Sequence, residues 1–152
     1  WDPAAARAAV ETGTGNAISI DVGGHSSDRT GGPVRLEGKV LFAGPKRFIG
    51  TGPMRKGRDI DLGLAAVIEA DGITVIVTEH TTPAIDLDPF IQFGLDAAAF
   101  DIIVLRSKTH FRAVYEAFSA EIIIIDTPDW GPADLTTLPY RNVRPGVFPV
   151  TT

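Results

Sequence analysis

The dipeptide Asp71-Gly72 separates two apolar runs and restricts the fold more than any other feature of the sequence. The preceding run covers residues 61–69 and the following run covers residues 73–78, and both are rich in Val, Ile, Leu and Ala. Aspartate followed by glycine readily adopts the positive φ angles of a tight two-residue turn. The pattern therefore predicts two antiparallel strands joined by this turn, at the centre of the domain.

The rest of the first half predicts one helix and further strands around this hairpin. Asp2-Pro3 followed by an alanine-rich stretch predicts a helix that is capped by Asp2 and ends at Gly13. Residues 17–22 and 34–42 alternate apolar with polar side chains, which is typical of half-buried strands, and residues 46–49 extend the second one. Residues 50–57 contain three glycines and predict an exposed hairpin loop.

The second half follows another pattern. Residues 87–94 predict a short helix capped by an aspartate. Two β-branched runs, 102–105 and 122–125, predict strands buried on both faces, and residues 110–118 predict the helix that joins them. Residues 101–126 then form a βαβ unit with parallel strands. With the proline-rich tail from Thr127, the prediction is one α+β domain over residues 1–152, with a mixed sheet.

Composition excludes several functions. The net charge of −5 argues against nucleic acid as a partner, and the longest apolar runs are too short to cross a membrane. The chain has no cysteine, which excludes thiol nucleophiles and thiolate metal sites and leaves a cytoplasmic location favoured. Because the sequence begins at Trp1 and its single methionine is Met54, we expect it to belong to a longer protein.

The candidate binding residues lie where the first β-branched run meets the predicted helix. They are Ser107, Lys108, His110 and Arg112, whose hydroxyl and basic side chains suit a carboxylate or phosphate at a helix N-terminus. A purely structural interpretation stays open. In it, Ser107 or Thr109 caps the helix, and the basic side chains pair with acids such as Glu121 or Asp126.

His25, His80 and His110 raise the alternative of a metal site, since three imidazoles and a water form a known zinc ligand set. Their spacing matches no compact zinc motif. Four aspartates could add oxygen ligands, but turn formation or helix capping is the favoured interpretation for them. These are Asp21, Asp28, Asp86 and Asp88.

One segment resembles a known family. The stretch Ser107-Lys108-Thr109-His110-Phe111-Arg112-Ala113, then the isoleucine run and Asp126-Thr127-Pro128, is similar to the C-terminal domain of MlrC-type (microcystinase C-like) zinc metallopeptidases. Asp2-Pro3 before the first helix and the paired Gly23-Gly24 extend the resemblance over nearly the whole chain. At His25 the sequence departs from the family, whose members often carry lysine there.

The resemblance implies a parent protein that uses one zinc ion to cleave amide bonds in small or linearised peptides. It also implies that the zinc ligands belong to a larger N-terminal catalytic domain, so no metal is expected in this chain. The leading hypothesis is a non-catalytic C-terminal domain that completes the fold and one wall of the substrate cleft. Two alternatives remain: a stand-alone anion or small-molecule binding module that uses residues 107–112, and an autonomous metalloenzyme with a histidine site.

Overall fold

Four antiparallel strands form one sheet in the order β1-β2-β3-β4. The computed structural model describes residues 1–25, 31–107, 109–125 and 134–148. The strands and helices, in chain order, are α1 (Pro3–Thr12), β1 (Ala17–Val22), β2 (Val34–Ile49), β3 (Asp59–Ala70), β4 (Ile73–Thr78), α2 (Asp88–Ile91) and α3 (Arg112–Tyr115). Short 3-10 turns occupy Ala97–Ala99 and Leu135–Thr137.

The hairpin predicted at Asp71-Gly72 is confirmed. Asp71 and Gly72 have φ angles of 50° and 81°, and the flanking residues Ala70 and Ile73 pair across the turn. The strand predicted over residues 17–22 is also confirmed, and β2 runs without interruption through the predicted extension. The sequence pattern therefore identifies all four strands of the sheet.

Helix α1 covers one face of the sheet and is capped as predicted. The Asp2 side chain accepts hydrogen bonds from the backbone N–H groups of Ala4 and Ala5, and Gly13 ends the helix with a φ of 84°. Small side chains on the inner face of the helix let it pack closely against the sheet. The buried residues of this cluster are Ala5, Ala6, Ala9, Ile18, Val40, Ala66, Ile68 and Val77.

A bulge at Gly63 gives the opposite face its own apolar cluster. Leu64 pairs with Pro45 and Asp61 with Arg47, so β3 holds one more residue than β2 between these pairs. Gly63 has a φ of 64°, a conformation that glycine adopts without steric cost. The extra residue brings Ile60 and Leu62 to the same face as Ala65. Phe48 completes the buried cluster, with Phe42 and Phe93 packed against it.

The α+β class is confirmed, but the predicted βαβ unit is wrong for the described residues. Neither residues 101–105 nor residues 121–125 form a strand, and the sheet is antiparallel throughout. The helix between them is limited to Arg112–Tyr115. A β-branched run becomes a strand only when a neighbouring strand satisfies its backbone, and the described sheet supplies none to these runs.

Part of the predicted tail can be placed. Residues 126–133 and 149–152 lie outside the described residues, as do Asp28 and Lys108. Residues 134–148 contain the turn Leu135–Thr137, in which the Asp134 side chain accepts a hydrogen bond from the Thr136 N–H group. Among the helices that the structure describes, none has the length and apolarity to cross a membrane.

Candidate functional site

Two buried carboxylates lie between the β2–β3 loop and helix α2. Asp86 is 3% exposed and Asp88 is 1% exposed, although both follow a short polar stretch of sequence. Residues 50–57 of the loop pack directly over them. Asp86, Asp88, Arg55 and Thr82 line a small cavity here, together with Phe48, Ile60, Pro83 and Pro89. We call this group the carboxylate pocket.

Asp88 fastens the glycine-rich loop to the rest of the domain. Its carboxylate accepts hydrogen bonds from the Thr51 hydroxyl at 2.6 Å and from the backbone N–H groups of Thr51 and Gly52 at 3.0 to 3.1 Å. Burial raises the pKa of Asp88, but these hydrogen bonds together outweigh burial and leave the pKa below its usual value. Asp88 is therefore held as a carboxylate by the loop that it binds.

The Asp86 carboxylate contacts Met54 and Gly52 of the loop and retains one oxygen without a donor in the described part of the chain. Its Oδ1 accepts a hydrogen bond from the Met54 N–H group at 3.2 Å. Its Oδ2 is buried, and no group of the described residues donates to it. A Cβ atom on Gly52 would lie 2.3 Å from the Asp86 Cγ atom, so only glycine fits against this carboxylate. Asp86 Oδ2 is a free acceptor inside the pocket.

The size of the pocket limits its chemistry. Its free volume of about 10 Å³ is on the scale of one water molecule. Arg55 closes one side by donating a hydrogen bond to the Thr82 hydroxyl at 2.8 Å. The pocket has room for about one water beside Asp86 Oδ2 and cannot hold a peptide. We therefore interpret it as a clamp that positions the loop.

Tyr115, at the end of helix α3, connects this helix to the carboxylate pocket. Its hydroxyl donates a hydrogen bond to the backbone carbonyl of Asp86 at 3.2 Å, and its ring contacts Phe90, Phe111 and Phe118 with centroid distances of 5.8 to 6.4 Å. Burial, and then the charge of Asp86, raise the pKa of Tyr115 to about 12. Helix α3 is short, but Tyr115 anchors it to the pocket.

The predicted anion-binding residues precede this anchor in the sequence, and the structure describes three of the four. Ser107 is half-buried, His110 and Arg112 are exposed, and Lys108 lies outside the described residues. Arg112 forms an ion pair with Glu116 at 2.8 Å and lies over the Phe111 ring. Pairing with a local acid is therefore observed, although the acid is neither of those expected.

The expected helix cap is not formed. Helix α3 begins after Phe111, and no side chain caps it with a hydrogen bond. The Thr109 hydroxyl instead lies 3.3 Å from the Nδ1 atom of His110. Among the described residues of this segment, no side chain caps the start of the helix.

The three histidines contact different partners. His25 Nε2 lies 3.4 Å from a carboxylate oxygen of Asp2, and His80 Nδ1 lies 3.7 Å from one of Asp61. His110 is beside Thr109. Within the described ranges no three or more acidic or histidine side chains converge as a metal site would require. His25, His80 and His110 therefore do not come together as the three-histidine zinc site that the sequence left open.

The sequence does not predict the carboxylate pocket, because Asp86 and Asp88 have the context of turn formers or helix caps. The sequence did contain a clue in residues 50–57. A loop with three glycines leaves many backbone N–H groups outside any strand ladder, and buried donors must find acceptors. Two aspartates separated by one residue, next to apolar side chains, are the acceptors that such a loop needs.

Comparisons with known proteins agree on one family. The family model described as MlrC C-terminus matches residues 1–142. Microcystinase C of Sphingomonas sp. is 24% identical over 125 residues, which cover 82% of this chain and 24% of that protein. The crystal structure of a candidate metallopeptidase from Mesorhizobium sp. BNC1 superposes with a TM-score of 0.81 and 28% identity, covering 99% of this chain and 30% of that one. The chain thus spans less than a third of either relative.

Proposed function

This chain belongs to the MlrC C-terminus family, and on that premise we propose that it is the C-terminal domain of a zinc-dependent amide hydrolase acting on small or linearised peptides. The match over residues 1–142 carries the proposal. The similarity to a microcystinase and to a candidate metallopeptidase, each more than three times as long as the region it shares with this chain, supports it.

In this proposal residues 1–152 are one domain, and a larger N-terminal domain of the same protein carries the catalytic zinc. The scattered histidine contacts support this division, because a catalytic zinc site needs about three protein ligands that converge on one point. The chain alone is then inactive, and its contribution is non-catalytic: it completes the fold and one wall of the substrate cleft. A cytoplasmic location is part of the same proposal.

We assign substrate binding to Ser107, Lys108, His110 and Arg112. Exposed His110 and Arg112 support this assignment, since a guanidinium has five N–H donors and Arg112 uses only part of them on Glu116. An anionic group of the peptide would be bound by these side chains. The anchor at Tyr115 keeps the segment in place on the domain.

Zinc analysis of the isolated chain tests whether the catalytic zinc site lies outside this domain. We expect far less than one zinc per chain after mild dialysis, and no turnover of linear peptides with added zinc. The matched control replaces His25, His80 and His110 with alanine and is expected to bind as little zinc as the parent chain. About one zinc per chain that is lost in this control, or turnover that a chelator abolishes, would overturn the proposal.

A further inference from the structure

Two apolar segments lie exposed on the surface of this domain. We call residues 102–105 the first apolar segment and residues 122–125 the second. Ile102 is 81% exposed, Val104 is 86% exposed and Ile123 is 71% exposed, with Ile124 and Ile125 also exposed. Large β-branched side chains at this level of exposure, in two neighbouring stretches of sequence, are typical of an interaction surface.

The backbone groups of both segments also lack partners within the described part of the domain. Within the described residues, no backbone hydrogen bond joins either segment to another part of the chain. Buried backbone N–H and C=O groups need hydrogen-bond partners. The backbone of the two segments can therefore stay unpaired only while water reaches it. The segments have the composition of strands and lack the neighbouring strands that would complete them.

The exposure pattern supports an extended conformation with two faces. Along residues 102–107, exposed and half-buried positions alternate, with Ile103, Leu105 and Ser107 half-buried. The domain covers this one face in part, while Ile102 and Val104 on the other face remain open. Apolar residues on both faces are typical of a strand in a sheet that is covered from both sides.

The position of Trp1 indicates which part of the full-length protein lies near the first apolar segment. The backbone of Trp1 lies within electrostatic range of Arg106, which directly follows the first apolar segment, so the start of α1 lies near the end of that segment. In the relatives, the region similar to this chain is less than a third of the protein. In a C-terminal domain, the preceding polypeptide enters at Trp1, next to that segment.

We infer that the two apolar segments are strands of an interdomain sheet, completed by a strand edge of the N-terminal domain of the same protein. This inference rests on the proposed function. Helix α3 then becomes the crossover between two strands, and Ile102, Val104 and Ile123 become buried. The partner presents an unpaired strand edge with an apolar surface, and it covers the faces that this domain leaves open.

Hydrogen exchange compares the isolated chain with the full-length protein that contains it. We expect the amides of both segments to exchange at least about 100-fold more slowly in the full-length protein, because they gain strand partners. Equal exchange in the two proteins overturns the inference. Protection already present in the isolated chain also overturns it if sedimentation shows a dimer, since a second copy is then the partner.

Matched substitutions separate an interface from a local folding effect. Val104→Asp and Ile123→Asp should leave the melting temperature of the isolated chain unchanged and lower that of the full-length protein by about 5 °C or more. Ile73→Asp is the control, since Ile73 is 62% exposed beside the hairpin turn at the start of β4 and belongs to neither segment, and it should change neither protein. Equal effects of Ile123→Asp on both proteins would count against the interface.

Zinc-dependent hydrolysis by the same full-length sample keeps the two proposals distinct. Hydrolysis without protection of the segments means that the interface is wrong while the function stands. Protection without zinc-dependent hydrolysis means that the interface stands and the proposed function is wrong. Both results together are the expected outcome.

Discussion

The Tyr115 hydroxyl donates a hydrogen bond to the backbone carbonyl of Asp86 across 29 positions of sequence, at 3.2 Å. Together with the contact between the Tyr115 and Phe90 rings, this bond links helix α3 to the carboxylate pocket, which holds the glycine-rich loop. Because Tyr115 is 2% exposed, the bond is shielded from water. The position of Arg112 at the start of α3 therefore depends on a residue that lies outside the basic motif.

Tyr115→Phe should reduce the free energy of unfolding by about 1 to 2 kcal/mol, because it leaves the buried Asp86 carbonyl without its donor while keeping the ring. Urea unfolding at neutral pH measures the change. Tyr140→Phe is the matched control, since Tyr140 is 44% exposed, and it should stay within about 0.5 kcal/mol of the parent chain. Equal losses in both variants would contradict the anchoring role.

The raised pKa of Tyr115 predicts that the free energy of unfolding falls at alkaline pH. Its pKa is about 12 in the folded chain, above the value of about 10 expected when unfolded. The contribution of Tyr115 is thus complete below about pH 10 and is lost as the pH rises towards about 12. Unfolding measured across this range should show a weaker pH dependence in Tyr115→Phe than in Tyr140→Phe.

Asp88→Asn should cost roughly 2 to 3 kcal/mol at neutral pH, because three hydrogen bonds from Thr51 and Gly52 lose their charged acceptor. The folded pKa of Asp88 is lowered, so its contribution is present above about pH 4 and is lost as the pH falls through the folded value. Urea unfolding between about pH 6 and about pH 3 should be less acid-sensitive in the variant.

Asp71→Asn provides the control for this substitution. Asp71 is exposed in the hairpin turn with a φ of 50°, a conformation that asparagine tolerates well. It should leave both the stability and its acid dependence nearly unchanged. A similar loss in the two variants would mean that removal of any carboxylate, rather than the clamp on the loop, is responsible.

Gly52→Ala should destabilise the chain by about 1 to 3 kcal/mol, because the added Cβ would overlap the Asp86 carboxylate. Thermal unfolding measures the loss. Gly32→Ala introduces the same methyl group where, apart from its chain neighbours, no atom of the described residues lies within 4 Å, and it should be neutral. If both glycines accept alanine equally well, Gly52 does not pack against Asp86 as described.

The sequence predicts the sheet well because local patterns determine its elements. The alternation of apolar and polar side chains predicts β1, and the turn residues Asp71-Gly72 predict the central hairpin. Asp2 predicts the start of α1. These features need only neighbours within a few residues, or a pairing that the turn itself defines. The four strands follow from them without knowledge of the rest of the protein.

The parts that could not be predicted depend on contacts from distant segments. Asp88 has the sequence context of a helix cap, yet its carboxylate binds Thr51 rather than its own helix. The run 122–125 has the composition of a buried strand, but burial requires a partner strand that the described residues do not supply. Propensity indicates what a segment can form, while its neighbours decide what it forms.

Arg112→Ala in the full-length protein should weaken the binding of an anionic peptide about tenfold, since it removes a bidentate donor from the proposed cleft wall. Its effect on stability should be small, about 0.5 kcal/mol or less, because the ion pair with Glu116 is exposed. Peptide binding by calorimetry, beside urea unfolding, measures both quantities.

Glu116→Gln completes this test, because it breaks the same ion pair but leaves the guanidinium in place. If Arg112 binds the peptide, freeing it from Glu116 should maintain or strengthen binding, whereas Arg112→Ala weakens it. If the ion pair only supports helix α3, the two substitutions should have the same small effect on stability and none on binding. Opposite effects on peptide affinity therefore identify Arg112 as a binding residue, and identical effects identify it as a structural one.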